Sequence, residues 1–288
     1  MSPPIFVHVP KTAGSTLRTV ISENYKPDQI LSLHGDPKEV LVSCAARIGK
    51  ADSYHFIQGH IPYGVHRFLN VGGERYFTFL RDPVTRFLSE IAHVVRHSDV
   101  SFHSVLADPS LSKNEVISRA LDICYFRNTM VHFISGTFST EAISLNQLGS
   151  AIDNLWKFEF VGVAEEFELS LLVMGKKLGW RHLVPQRCNV RPEGAEFIDP
   201  ELKVRLDRAL AYDRMLYVIA QEHLDISKRK YGVLLEDAAC ELSELIKLQE
   251  AEYPDAKFIA KWGVTQVPLG SYNSRIKAGT SLHRWINE

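Results

Sequence analysis

The chain has 288 residues, 45% hydrophobic and 23% charged, the composition of an ordinary soluble globular protein with room for one large domain or two small ones. Its formal net charge of -1 leaves no global basic field, so no nucleic-acid partner is expected. No basic stretch followed by an apolar core opens the chain, and no uninterrupted apolar run approaches the roughly 18 residues of a membrane span; neither a leader nor stable membrane insertion is expected, and the location expected is cytoplasmic.

Residues 5–9 read as a first strand, followed by a tight polar loop and a helix over 15–23 with Leu17, Val20 and Ile21 on one face. A strand, loop and helix in this order aim several backbone N–H groups at one spot. The first N–H groups of a helix lack internal partners, and the helix dipole favours negative charge there. Lys11, Thr12, Ala13, Gly14, Ser15 and Thr16 are therefore candidate phosphate ligands, with one full positive charge and two hydroxyls near the helix start. The nucleoside-triphosphate loop G-x-x-x-x-G-K-[ST] has its Lys next to the helix. Here Lys11 comes three residues before Gly14, with no second Gly at the required spacing. A plain strand-to-helix turn with an exposed Lys is the alternative.

Further strands are expected at 29–33, 54–58, 75–80 and 158–163, and helices at 37–48, 84–96, 113–121 and 141–155. The alternation predicts an α/β fold of P-loop-like, three-layer form: a central parallel sheet flanked by helices. Such sheets bind ligands at the carboxyl ends of their strands, and Lys11, His60 and Arg81 each follow a predicted strand. Beyond residue 163 the chain turns helical, over 165–178, 200–223 and 234–250. Residues 251–288 read as irregular, with Trp262, Tyr272 and Trp285 expected to pack that tail onto the rest.

In the run Leu80-Arg81-Asp82-Pro83-Val84-Thr85-Arg86-Phe87-Leu88-Ser89, Asp82 suits an N-cap and Pro83 a first helical turn. An arginine fork at the strand end and the Ser89 hydroxyl two turns on could hold one phosphate between them. An Arg–Asp surface pair with an ordinary helix Ser explains the run equally well. Arg86 is expected to pair with Asp82 at i, i+4.

The two runs together resemble the donor-binding motifs of sulfotransferases that use 3′-phosphoadenosine 5′-phosphosulfate (PAPS). V-P-K-T-A-G-S-T is similar to the loop that grips the 5′-phosphosulfate, and R-D-P-V-T-R-F-L-S to the segment that grips the 3′-phosphate. The form is that of the carbohydrate branch: heparan-sulfate 2-O and 6-O sulfotransferases and their soluble bacterial relatives. The likeness spans residues 4 to 225 and continues, more weakly, through Phe160–Phe167, Ser170-Leu171-Leu172, Leu178-Gly179-Trp180, Asn189-Val190, Asp213 and Tyr217. Relatives often carry Arg where His132 stands, and residues 232–288 match nothing in the family. The resemblance implies a sulfotransferase domain over 1–231, with 232–288 a C-terminal helix and irregular extension packed on it.

Sulfuryl transfer, like phosphoryl transfer, is in-line with a loose transition state and charge building on the leaving phosphate. The resemblance implies PAPS as co-substrate, PAP (3′,5′-adenosine bisphosphate) as product, and an acceptor hydroxyl, a sugar's being favoured. Lys11 and the loop would hold the leaving phosphate, and Arg81 and Ser89 the 3′-phosphate. The acceptor needs a base. His60, in Gly59-His60 after a strand, is a candidate because an unperturbed imidazole titrates near neutrality; a structural strand-end His is the bland alternative, and the family carries a base His in a Gly-His step like this one. His8 and His34 read as core or supporting positions, and His55 as structural within its strand. Arg187 and Arg191 with Asn189 form a small basic loop that an acidic acceptor, the nucleotide or solvent alone could meet.

No metal is expected. His93 and His97 stand at i, i+4 without an evident third ligand, and no acidic cluster lies near the loop. The four scattered cysteines suggest free thiols in a reducing compartment. Two other classes compete: a kinase-like phosphotransferase, which would need a late loop Lys and an acidic Mg2+ ligand, and a non-catalytic nucleotide-binding protein on the same fold.

Overall fold

A computed structural model describes residues 2–35, 37–71, 75–137, 141–186, 198–253 and 272–288. The basic loop with Arg187, Asn189 and Arg191, and Trp262, lie outside the described residues.

Five strands form one sheet in the order β2-β3-β1-β4-β5: β1 Ile5–Val7, β2 Ile30–Leu33, β3 Phe56–Gly59, β4 Tyr76–Leu80 and β5 Phe160–Val163. Every pairing is parallel. All residues of β1, β3, β4 and β5 are buried, as a parallel sheet covered by helices on both faces demands. The chain moves outward on one side of β1 to β2, returns to β3, then crosses to β4 and β5 on the other side. Loops leaving β1 and β4 therefore diverge, and their carboxyl ends frame the crevice where open α/β sheets take ligands. This is the α/β architecture expected.

The helices that cover the sheet and extend it are α1 Gly14–Asn24, α2 Pro37–Ala45, α3 Val65–Leu69, α4 Pro83–Arg96, α5 His103–Leu106, α6 Lys113–Asp122, α7 Thr129–Ser135, α8 Leu145–Leu155, α9 Phe167–Leu178, α10 Pro200–Ala209, α11 Ala211–Tyr231, α12 Val233–Glu252 and α13 Ser281–Asn287. The main core surrounds the sheet; a second cluster joins Phe87, Ile91 and Val94 of α4 to Ile117 and Leu121 of α6, Phe126, and Leu202 and Leu206 of α10.

Three local expectations are corrected. The helix expected over 200–223 is two helices, because Leu210, with φ -106° and ψ 13°, breaks the run between α10 and α11. His55 is not within a strand: β3 starts one residue later, and His55 is exposed with its N–H donated to the Gln29 carbonyl. The tail expected to be irregular contains α13, begun by the Thr280 side chain accepting the His283 N–H. Tertiary contacts hold that short helix. Trp285 is buried and donates its indole N–H to the Leu172 carbonyl at 3.1 Å, while Glu241 of α12 accepts the Ser281 and Leu282 N–H groups. Tyr272 is buried in the same core.

Candidate active site

The sheet register builds the centre of the site. Val7 and Leu33 both pair with Gly59, so the next residues of all three strands, His8, His34 and His60, stand on one rung at the carboxyl edge. The His60 ring stacks on His8 with centroids 4.4 Å apart and meets His34 edge-on at 5.7 Å. Gly59 is required where it is: a Cβ there would stand 1.8 Å from the Leu33 carbonyl oxygen. His60 Nδ1 lies 2.9 Å from the His8 carbonyl oxygen. A carbonyl only accepts, so Nδ1 carries the hydrogen and Nε2 the lone pair.

The loop after β1 reaches the same edge. Lys11 and Ala13 both adopt left-handed backbone, φ 66° and 68°. Non-glycine residues there cost on the order of 1–3 kcal/mol each, a strain that gathers at ligand clamps. The turn is stapled by the buried Thr12, whose hydroxyl donates to the Val9 carbonyl at 2.8 Å; Thr12 can thus offer an anion its backbone N–H only. Ala13 supplies no side-chain cap to α1, and the first turn of α1 contains no acidic residue. The N–H groups of Gly14, Ser15 and Thr16 belong to the electropositive first turn of α1. Ser15 is exposed and Thr16 buried. Gly14 also has a packing reason: a Cβ there would stand 1.9 Å from His8 Nε2. His8 therefore lies between the loop and His60 and couples the two.

From β4, Arg81 donates through Nη1 to the Lys11 carbonyl at 3.2 Å, with Nε 3.8 Å from Glu165 Oε1. Glu165 also accepts the Asp82 N–H and the Tyr217 hydroxyl, which ties the ends of β4 and β5 to α11. Burial and the neighbouring Glu165 carboxylate push the Tyr217 phenol far up, so it stays a donor. Asp82 caps α4 through the Thr85 N–H, as expected, and pairs with Arg214. Ser89 is half-buried two turns into α4, its hydroxyl without a hydrogen-bond partner among the described residues.

Arg86 does not pair with Asp82. It is fully buried, donates to the Phe126 carbonyl at 3.0 Å and lies 3.8 Å from Glu90 and 3.9 Å from Asp213. Asp82 sits at the helix end facing Arg214, whereas Arg86 projects from the core side of α4. His132 is buried in α7, its ring nitrogens without a hydrogen-bond partner among the described residues.

Electrostatics alters the expectation for His60. Burial first, then the positive charges of Arg18 and Lys11 and the His34 ring, outweigh its bond to the His8 carbonyl and lower its pKa from 6.5 to about 4. It is neutral at physiological pH, not poised near its midpoint. His8 is lowered well below 6.5, chiefly by burial, and His34 is lowered too. Arg18, exposed one turn on from Gly14, acts on all three rings. Across the loop, His93 of α4 stands one turn beyond Ser89, 4.4 Å from the His97 ring; burial and then the Lys11 charge bring it to about 4. Lys11 thus acts on imidazoles from both sides of the crevice. Sequence reasoning misses Arg18 and His93 as neighbours of the loop, although each follows a candidate ligand by one helical turn, Gly14 and Ser89.

A stability prediction follows from the signs. Each ring of the trio holds its proton less tightly folded than unfolded. Their stabilisation is complete above the unfolded value of 6.5 and is lost as pH falls through about 4, the folded value of His60. Urea unfolding from pH 7.5 to 4.5 should show falling stability, with a shallower slope in His60→Gln; an unchanged slope in that variant would refute the assignment.

A scan against protein-family models finds no match, and a search of curated proteins finds none. Among solved structures, a sulfotransferase from Alicyclobacillus acidocaldarius is similar over 77% of this chain and 96% of its own, with 15% identity and a TM-score of 0.40. At that level neither site nor activity is carried over from it. No helix of the described residues is long and apolar enough to cross a membrane. No group of three His, Cys, Asp or Glu among them is arranged to hold a metal ion.

Proposed function

We propose that this chain is a PAPS-dependent sulfotransferase acting on an acceptor hydroxyl, a sugar hydroxyl foremost. One observation carries the proposal: an uncapped helix N-terminus with Lys11, an arginine tied to the same loop, and a neutral His60 whose Nδ1 is anchored all meet at one sheet edge. A residue set with this much fixed positive charge, Lys11, Arg18 and Arg81, suits a donor carrying phosphates at both ends of an adenosine.

The residues then have distinct tasks. Arg81 and Ser89 would anchor the 3′-phosphate. Lys11 and the N–H groups of Gly14, Ser15 and Thr16 would neutralise the 5′-phosphate as it leaves, when their attraction counts most. His60 Nε2 would take the acceptor's proton as the acceptor oxygen bonds to sulfur. The bond from sulfur to the phosphate oxygen breaks, and its electron pair stays on PAP. The neutral state of His60 at pH 7 keeps Nε2 open, and negative charge brought beside it favours the imidazolium as it forms.

Thermal-shift titration with PAP, followed by radiolabelled-sulfate transfer from PAPS onto a panel of glycans and metabolites, tests the proposal. PAP should stabilise the protein more than ATP does, and Lys11→Ala should weaken PAP about 10- to 100-fold, the loss of one charge-assisted contact. Equal stabilisation by ATP would count against the donor, and absence of transfer to any acceptor would favour a binding protein on this fold.

A further inference from the structure

Away from the Lys11–His60 edge, a half-open cavity of about 230 Å3 lies between the turn before α7, residues 142–143 and the corner where α10 meets α11. It shares no lining residue with the candidate active site. Two guanidinium groups, Arg127 and Arg208, line it, and no carboxylate among the described residues does. Both are charged at any physiological pH. Arg127 is held in place: its Nη2 donates to Cys124 Sγ at 2.7 Å, and Cys124 also lines the cavity. Arg208 is exposed and has no ion-pair partner among the described residues. Ala142, Ile143 and Tyr212 supply apolar lining.

The cavity is built rather than incidental. Asn128, a lining residue, uses both ends of its amide: Nδ2 donates to the Ala209 carbonyl at 3.0 Å and Oδ1 accepts the Asp213 N–H at 3.1 Å. These bonds clamp the α10–α11 corner to the turn before α7 and fix the spacing of the walls. Two guanidinium groups beside apolar lining residues suit an anion that carries an apolar body. The volume is below the roughly 300–1,000 Å3 of clefts for drug-sized ligands.

We propose that this cavity is a second binding site, distinct from the sulfuryl-transfer edge, for a small organic anion: a phosphate or sulfate monoester with a compact apolar or aromatic body. The anionic head lies against Arg127 and Arg208, and the body against Ile143 and Tyr212.

Cys124 supplies the readout, and Cys240, an exposed free thiol, the internal control. Alkylation by iodoacetamide is followed at both thiols by peptide mass spectrometry on the full-length protein, with 4-nitrophenyl phosphate as probe and 4-nitrobenzyl alcohol as its neutral counterpart. The probe should slow Cys124 about fivefold at four times its Kd, because the open fraction falls as 1 + [L]/Kd, and leave Cys240 unchanged. Arg208→Gln, a change at an exposed side chain, should raise the probe concentration needed about tenfold, the loss of one charge-assisted bond. The proposal is overturned if Cys124 reacts at the same rate with and without the probe, if the neutral alcohol protects equally, or if Arg208→Gln leaves the protecting concentration unchanged. PAP binding at the Lys11 loop plays no part in this readout, so it fails or succeeds independently of the transferase reading.

Discussion

Replacing His60 by Ala is expected to lower turnover by about 10²- to 10⁴-fold, the usual range for a lost general base, while PAP still stabilises the variant. The expectation rests on the division of labour at the sheet edge. His60 contributes no donor to the loop that would hold the phosphates; its one fixed bond is to the His8 carbonyl. The pH profile separates a base from a merely structural ring. kcat/KM reports the free enzyme, so its acid limb should follow His60 near its value of about 4. kcat reports the loaded enzyme, where phosphate charge near Lys11 stabilises the imidazolium, so its acid limb should lie at higher pH. Turnover within threefold of wild type in His60→Ala, or acid limbs that coincide, would remove His60 from the reaction.

The same residues show what a sequence can and cannot carry. All five strands are readable as short apolar runs between turn signals; burial on both faces forces that composition in β1, β3, β4 and β5, while edge strand β2 keeps an exposed Ser32. Their ends are less so. The run at 5–9 leaves the ladder after Val7 because the chain must turn at Pro10 into the Lys11 loop. Short helices such as α3, α7 and α13 are invisible at five to seven residues, since two turns or fewer give no period to read. The loop and Arg81 are legible as candidates because their neighbours along the chain define them. The trio of His8, His34 and His60 is not, because only the parallel register aligns three strand ends. The depressed pKa of His60 is hidden for the same reason: its causes lie on other strands and on α1. Arg86 misleads because two acids lie four residues from it, Asp82 and Glu90, and only Glu90 faces it, while its other acidic neighbour, Asp213, comes from α11, far along the chain.

That buried Arg86 carries the largest stability prediction. Arg86→Met should destabilise the protein by about 3–5 kcal/mol at pH 8, because it strands two acids that the guanidinium faces. Asp213 is fully buried and accepts the Met130 and Val131 N–H groups at the start of α7. Burial raises its pKa from 3.8 to about 6 even with Arg86 present to oppose the rise. A carboxyl raised in this way holds its proton more tightly folded than unfolded, so it favours folding at low pH and loses that contribution as pH climbs through about 6. Removing Arg86 raises it further, since the opposing charge is gone. The deficit of Arg86→Met against wild type should therefore shrink at pH 5 and grow towards pH 8, in denaturant midpoints compared at equal slope. Adding Asp213→Asn should recover part of the loss at pH 8, because the neutral amide removes the stranded charge while its single oxygen still accepts one of the two N–H groups. A deficit independent of pH would mean that Arg86 contributes through its packing and its bond to the Phe126 carbonyl rather than through charge.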